Sequence, residues 1–135
     1  MVIIVTGAIG IGKTTVCEKV VNILQSLGYT CGGILTYKAV DESLTVLDIQ
    51  TGERKTLASL QNTFDGPRTP KYSFNPEGID FGVRAIDKGA ASDVLIVDEV
   101  GYLELSGEGI AKSLELVRGG KVRNSILVIR KELLA

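Results

Sequence analysis

An apolar run, Val2-Ile3-Ile4-Val5, opens directly into Thr6-Gly7-Ala8-Ile9-Gly10-Ile11-Gly12-Lys13-Thr14-Thr15. That order admits few local structures. The apolar residues suit a strand covered on both faces, and the glycines permit a tight turn out of it. A helix follows at once: Val16, Val20, Ile23, Leu24 and Leu27 recur at helical spacing, Glu18, Lys19, Asn22 and Gln25 take the other face, and Gly28 ends it. Between strand and helix, Gly7, Gly12, Lys13 and Thr14 complete G-x-x-x-x-G-K-[ST], the pattern of a phosphate-binding loop. The glycines let successive N–H groups turn inward around a polyphosphate, and the helix presents its electropositive end to the same anion. On this reading Gly7, Ala8, Ile9, Gly10, Ile11, Gly12, Lys13, Thr14 and Thr15 bind the nucleotide. Lys13 sits against the β- and γ-phosphates, and the Thr14 hydroxyl holds a Mg²⁺ ion bridging them. The plain alternative is a turn that only reverses the chain, and the strand before it and helix after it argue for the phosphate loop.

With 135 residues, 44% of them hydrophobic and 23% charged, the chain reads as one globular domain. No apolar run reaches the roughly 18 residues a membrane span needs, and a strand beginning at Val2 leaves no room for a charged leader. A cytoplasmic protein with no membrane partner is therefore expected. The net charge of −1 supplies no bulk field for nucleic acid, so that role is disfavoured, and no protein partner is legible. Cys17 and Cys31 have neither C-x-x-C nor metal spacing and read as reduced structural thiols. Histidine is absent, which removes His-based nucleophile activation, general-base chemistry and metal ligation. Any catalysis must run on carboxylates, Lys, Arg, hydroxyls and bound metal.

Beyond Gly28, residues 32–40, 44–49 and 55–58 read as strands too closely spaced for helical crossovers, hence an antiparallel hairpin or meander beside the main sheet. From 59 to 73 the periodicity stops and turn formers gather. Arg68 and Lys71 on this stretch make a nucleotide-covering flap one reading and a solvated excursion the other. Asn75-Pro76-Glu77 marks a helix start, with Ile79, Val83, Ile86 and Ala90 on its buried face and Gly89 closing it. Gly78 and Gly82 inside this helix imply close packing against a neighbour. Val94-Leu95-Ile96-Val97 is a central buried strand followed at once by Asp98-Glu99. Ser106 can cap a further helix carrying Ile110, Leu114 and Val117, and residues 125–129 form another buried strand running into Arg130. This alternation predicts an α/β fold with a mainly parallel sheet, whose ligands bind beyond the carboxyl ends of the strands. That rule brings the loop, Asp98, Glu99 and Arg130 to one rim.

A carboxylate ending a buried strand needs a cation or hydrogen bonds. Asp98 reads as the acidic residue orienting the Mg²⁺ shell, and Glu99 as the base that holds and polarises an attacking water. The competing reading is a pair of solvated carboxylates at a strand end. Arg130, directly after a buried strand, is the chosen charge-stabilising arginine, against a surface arginine beside Lys131; Arg68, Arg84 and Arg123 are weaker candidates. Asp98-Glu99-Val100-Gly101 fits the D-x-x-G element of GTPases, but no N-K-x-D or T-K-x-D sequence follows to read guanine. Leu105-Ser106-Gly107-Glu108-Gly109, similar to a transporter-ATPase signature, falls after the acidic strand instead of before it and reads as a helix start.

Three segments together carry a family resemblance: Val5-Thr6-Gly7 through Lys13-Thr14-Thr15, the Gly32-Gly33-Ile34-Leu35-Thr36 strand with its hairpin, and Leu95-Ile96-Val97-Asp98-Glu99-Val100-Gly101-Tyr102-Leu103-Glu104-Leu105. The chain resembles the THEP1-like, or cancer-related, nucleoside-triphosphatases over nearly its whole length. The first segment is common to all P-loop proteins, whereas the last is considerably more specific. The resemblance implies a three-layer, RecA-like P-loop core, Mg²⁺ dependence, and slow hydrolysis of several nucleoside triphosphates to diphosphate and phosphate. It implies for Lys13, Thr14, Asp98 and Glu99 the roles argued above. Members of that family continue past the position of Ala135, so a single P-loop NTPase domain over 1–135 that is C-terminally shortened relative to them is expected, whether as a natural short form or as a fragment.

The leading expectation is a Mg²⁺-dependent nucleoside-triphosphatase with broad base tolerance. A small-molecule or nucleotide kinase remains open, because the phosphate loop does not distinguish water from a substrate acceptor; adjacent Asp98-Glu99 favours water. A non-enzymatic nucleotide-binding switch is the third reading.

Overall fold

The computed structural model describes residues 2–7, 13–60, 63–66, 68, 71–100 and 124–130. In chain order the elements are β1 (Val2–Gly7), α1 (Lys13–Ser26), β2 (Cys31–Lys38), β3 (Leu44–Asp48), β4 (Arg54–Ser59), β5 (Ser73–Phe74), α2 (Pro76–Gly89), β6 (Val94–Val100) and β7 (Ser125–Arg130). The phosphate loop expected at 8–12, residues 101–123 with the helix expected after Ser106, and residues 131–135 lie outside the described residues.

The seven strands form one sheet in the order β1-β7-β6-β2-β3-β4-β5. Its first four strands are mutually parallel, and β3, β4 and β5 continue it antiparallel. The expected meander is thus fused to the parallel sheet through β2, which pairs parallel with β6 on one side and antiparallel with β3 on the other. Spacing alone could reveal the hairpin but not the second partner of its first strand. The two-residue β5 has no sequence signature of its own, because two residues show no period.

Side-chain alternation explains how the helices are placed. Leu95 and Val97 of β6 and Ile34 of β2 pack with Ala85 and Ile86 of α2. The interleaved Ile96 and Leu35 pack with Cys17 and Val21 of α1. Successive residues of a strand face opposite ways, so the two helices cover opposite faces of the sheet and make three layers.

The buried face of α1 is rotated from the expected one. Cys17 and Val21 are buried with Val20 and Leu24 packed beside them, while Val16, Ile23 and Leu27 are exposed at 50%, 58% and 67%. The apolar residues fill a broad arc opposite Glu18, Lys19, Asn22 and Gln25, and the sheet covers only its Cys17–Val21 side; reading Cys17 as a thiol hid its contribution as a small apolar side chain. The α2 helix follows its punctuation closely. The Glu77 N–H donates to Asn75 Oδ1 at 3.1 Å, and Asn75 Nδ2 donates to the Thr56 carbonyl at 2.8 Å, so the cap also ties the helix to β4. Ile86 is fully buried, and Gly78 lies so close to β4 that an added Cβ would overlap the Thr56 carbonyl oxygen. Gly33 makes the closest approach among the described glycines: its φ is +104°, and a Cβ there would run into the Ile96 carbonyl of β6. Only glycine satisfies both conditions cheaply.

Candidate active site

Four parallel strands end at one edge of the sheet. Gly7, the last residue of β1 and the first of the phosphate-loop pattern, pairs with Arg130 at the end of β7, and β7 separates β1 from β6. The β6–β7 register runs Val97↔Leu127 and then Val100↔Ile129, a shift that falls on Asp98 and Glu99. The backbones of Gly7, Arg130, Asp98 and Glu99 therefore share this edge, and Lys13 and Thr14 begin α1, the helix connected to β1. For Lys13, Thr14, Glu99 and Arg130 the structure describes the backbone; Ala8, Ile9, Gly10, Ile11 and Gly12 lie outside the described residues. Thr15 is exposed on the first turn of α1.

Asp98 is fully buried. The β2–β6 register reaches Ile34↔Val97, and just beyond it the Thr36 N–H donates to Asp98 Oδ2 at 3.1 Å. A backbone amide of the neighbouring strand thus holds the carboxylate. Its electrostatic footprint falls on the α1 face. Burial, reinforced by the Asp98 charge, pushes the Cys17 thiol up to about 11. Tyr37 is pushed up to about 12 by burial first, then by its hydrogen bond to and the charge of Glu18, with Asp98 adding a smaller push. Both side chains belong to the cluster beneath α1. Asp98, two residues on from Ile96, therefore lies on the face of the sheet that α1 covers.

Arg68 and Lys71 are committed elsewhere. Arg68 bridges Ser73 through its backbone and donates through Nη2 to the Phe64 carbonyl at 3.3 Å. Lys71 pairs with Glu42 at 3.4 Å, and the Tyr72 hydroxyl donates to the Glu42 carbonyl at 2.9 Å, fastening this stretch to the β2–β3 turn. Lys38 and Lys71 together hold the Glu42 carboxyl below its usual range. Arg68 and Lys71 thus contact surface groups of the stretch itself or of the β2–β3 turn.

A family model described as NTPase matches residues 2–134. The chain belongs to this NTPase family. Among its relatives, the nucleoside-triphosphatase THEP1 of Methanopyrus kandleri is 34% identical over 117 residues, a match covering 83% of this chain and 64% of the relative. THEP1 of Methanothermobacter thermautotrophicus is 33% identical over 139 residues, covering 98% of this chain and 79% of that protein. The chain thus spans about two thirds to four fifths of the length of these relatives. The fold of this NTPase family member is that of the crystal structure of THEP1 from Aquifex aeolicus, with a TM-score of 0.80 at 22% identity over 97% of this chain and 77% of the other. A solution structure of a human cancer-related nucleoside triphosphatase matches with a TM-score of 0.74 at 19% identity, covering 95% and 75%. The expected P-loop, RecA-like α/β class is therefore the one observed.

Sequence reasoning missed the Thr36 amide as the partner of the candidate residue Asp98. A backbone donor carries no side-chain signature, and only the pairing of β2 with β6 reveals it.

Proposed function

We propose that this chain hydrolyses nucleoside triphosphates to diphosphate and phosphate, with Mg²⁺ and little discrimination of the base. The observation that carries the reading is the buried Asp98 carboxylate, held by the Thr36 amide at the edge where β1 runs into the G-x-x-x-x-G-K-T sequence. Family membership and relatives that bear the name nucleoside-triphosphatase support it.

The donor set suits the metal. Mg²⁺ favours hard oxygen ligands and keeps water and substrate phosphate in its shell, so one carboxylate and one hydroxyl are enough from the protein. Asp98 and Thr14 would hold it. When bound, it supplies positive charge against the phosphate oxygens. Lys13 and the loop amides bind the β- and γ-phosphates and meet the charge that builds on the equatorial oxygens. Glu99 orients a water in line with the γ-phosphorus and accepts its proton as the new O–P bond forms. The bond between the γ-phosphorus and the bridging oxygen breaks, and the electron pair leaves on the diphosphate. Adjacent residues of a regular strand point to opposite faces, so the register shift between Val97 and Val100 is the backbone feature by which Glu99 would serve the site of Asp98. Arg130, beside Gly7, is the proposed additional cation.

No described helix is long and apolar enough to cross a membrane. Free, buried Cys17 and Cys31 support a reducing, cytoplasmic setting. The test is phosphate release from ATP, GTP, CTP and UTP, with and without Mg²⁺. Release from all four that requires the metal is the expected result. Release only when an acceptor is added would favour a kinase, and tight binding without turnover a switch.

A further inference from the structure

One polar contact between α1 and the end of β2 has no part in the reaction just described. The Tyr37 hydroxyl donates to Glu18 Oε2 at 2.7 Å, and the Arg54 guanidinium carbon lies 4.8 Å from the centre of the Tyr37 ring. Its two ends have informative neighbours. Tyr37 directly follows Thr36, whose N–H holds Asp98. Glu18 lies one helical turn after Thr14 on α1, which starts at Lys13.

Otherwise the described contacts between this helix and the sheet are apolar: Cys17, Val21, Leu35 and Ile96 make the cluster, with Val20 and Leu24 beside it. Such packing is non-directional and tolerates small sliding movements. A hydrogen bond to a carboxylate fixes distance and direction. Tyr37 has a rigid ring, further held by the cation over its face, which makes it a suitable strut.

We propose that the Tyr37–Glu18 hydrogen bond is a positioning element of the metal site, setting the separation between the start of α1, with Thr14, and the β2 segment that holds Asp98. Tyr37 and Glu18 act in this scheme as positioning residues, through Thr14 and Asp98. They keep two oxygen ligands from different elements at the spacing one divalent cation requires. The inference rests on the metal assignment proposed above. Burial and Glu18 both hold the phenol protonated, so the strut stays a donor at neutral pH.

The experiment is calorimetric titration with a non-hydrolysable ATP analogue, with and without Mg²⁺, alongside a thermal melt of each variant. The quantity read is the gain in affinity that the metal confers. Tyr37→Phe removes only the hydroxyl and is expected to lose about 3- to 10-fold of that gain, with metal-free affinity unchanged. Glu18→Ala should match it, and the double variant Tyr37→Phe/Glu18→Ala should lose no more than either single change. Glu18→Gln, which keeps an acceptor, should retain most of the gain. A Tyr37→Phe protein with the full gain, or with affinity reduced equally in the presence and absence of Mg²⁺, would overturn the proposal. Asp98→Asn separates the two levels. If it abolishes the gain, the metal assignment stands and Tyr37→Phe judges the strut. If the gain survives in Asp98→Asn, or is missing from the wild type, the metal assignment fails and takes the strut with it.

Discussion

The Thr36 N–H and the Asp98 carboxylate, 62 residues apart in sequence, meet at 3.1 Å where β2 and β6 stop pairing. This contact joins β6, which carries Asp98, to the strand from which the antiparallel extension grows, and it makes Asp98 both a structural acceptor and a candidate metal ligand.

The two roles separate by substitution. Asp98→Ala strands a buried N–H and is expected to destabilise the fold by about 1–3 kcal/mol, read from the urea midpoint. Asp98→Asn keeps an acceptor for Thr36 and should cost less stability while losing the response of nucleotide binding to Mg²⁺. Equal stability losses would mean that the Thr36 contact contributes little.

Gly33 and Gly28 test the sheet geometry. Both have positive φ, +104° and +91°, but a Cβ at Gly33 meets the Ile96 carbonyl whereas at Gly28 it meets open space. Gly28→Ala should cost about 1 kcal/mol from backbone strain alone. Gly33→Ala adds an overlap between two paired strands and should cost several-fold more or prevent folding; comparable denaturation midpoints would contradict this register.

Cys17 reports on the interior beneath α1. Its thiol is pushed up to about 11 by burial first and then by Asp98, so it should react with a thiol reagent at neutral pH only as fast as the protein opens. The linkage has a definite sign. The unfolded thiol ionises near the ordinary value of 9.0 and the folded one near 11, so the contribution is complete below the first value and is lost as pH rises through that window. Cys17→Ala should flatten the decline in stability across it. Rapid labelling of native protein at neutral pH would show that α1 does not cover this thiol.

Much of this was legible in the chain because the informative residues are consecutive. Val2 through Thr15 hold both the β1 strand and the start of α1, and Asn75-Pro76-Glu77 states its own cap, realised as the Glu77 N–H on Asn75 Oδ1. The uninterrupted apolar run before Asp98 likewise announced a strand covered on both faces. What escaped depends on pairing. The rotation of α1 toward Cys17 and Val21, the double partnership of β2, the short β5 and the Thr36 amide follow from which strand lies beside which. No single stretch of sequence contains that information.

Phosphate release from Mg-ATP by Glu99→Gln, compared with wild type under single-turnover conditions, tests the central claim most directly. The expected result is a rate lower by about 10²-fold or more, as for loss of a general base, with nucleotide affinity retained. Hydrolysis by Glu99→Gln at the wild-type rate would contradict it.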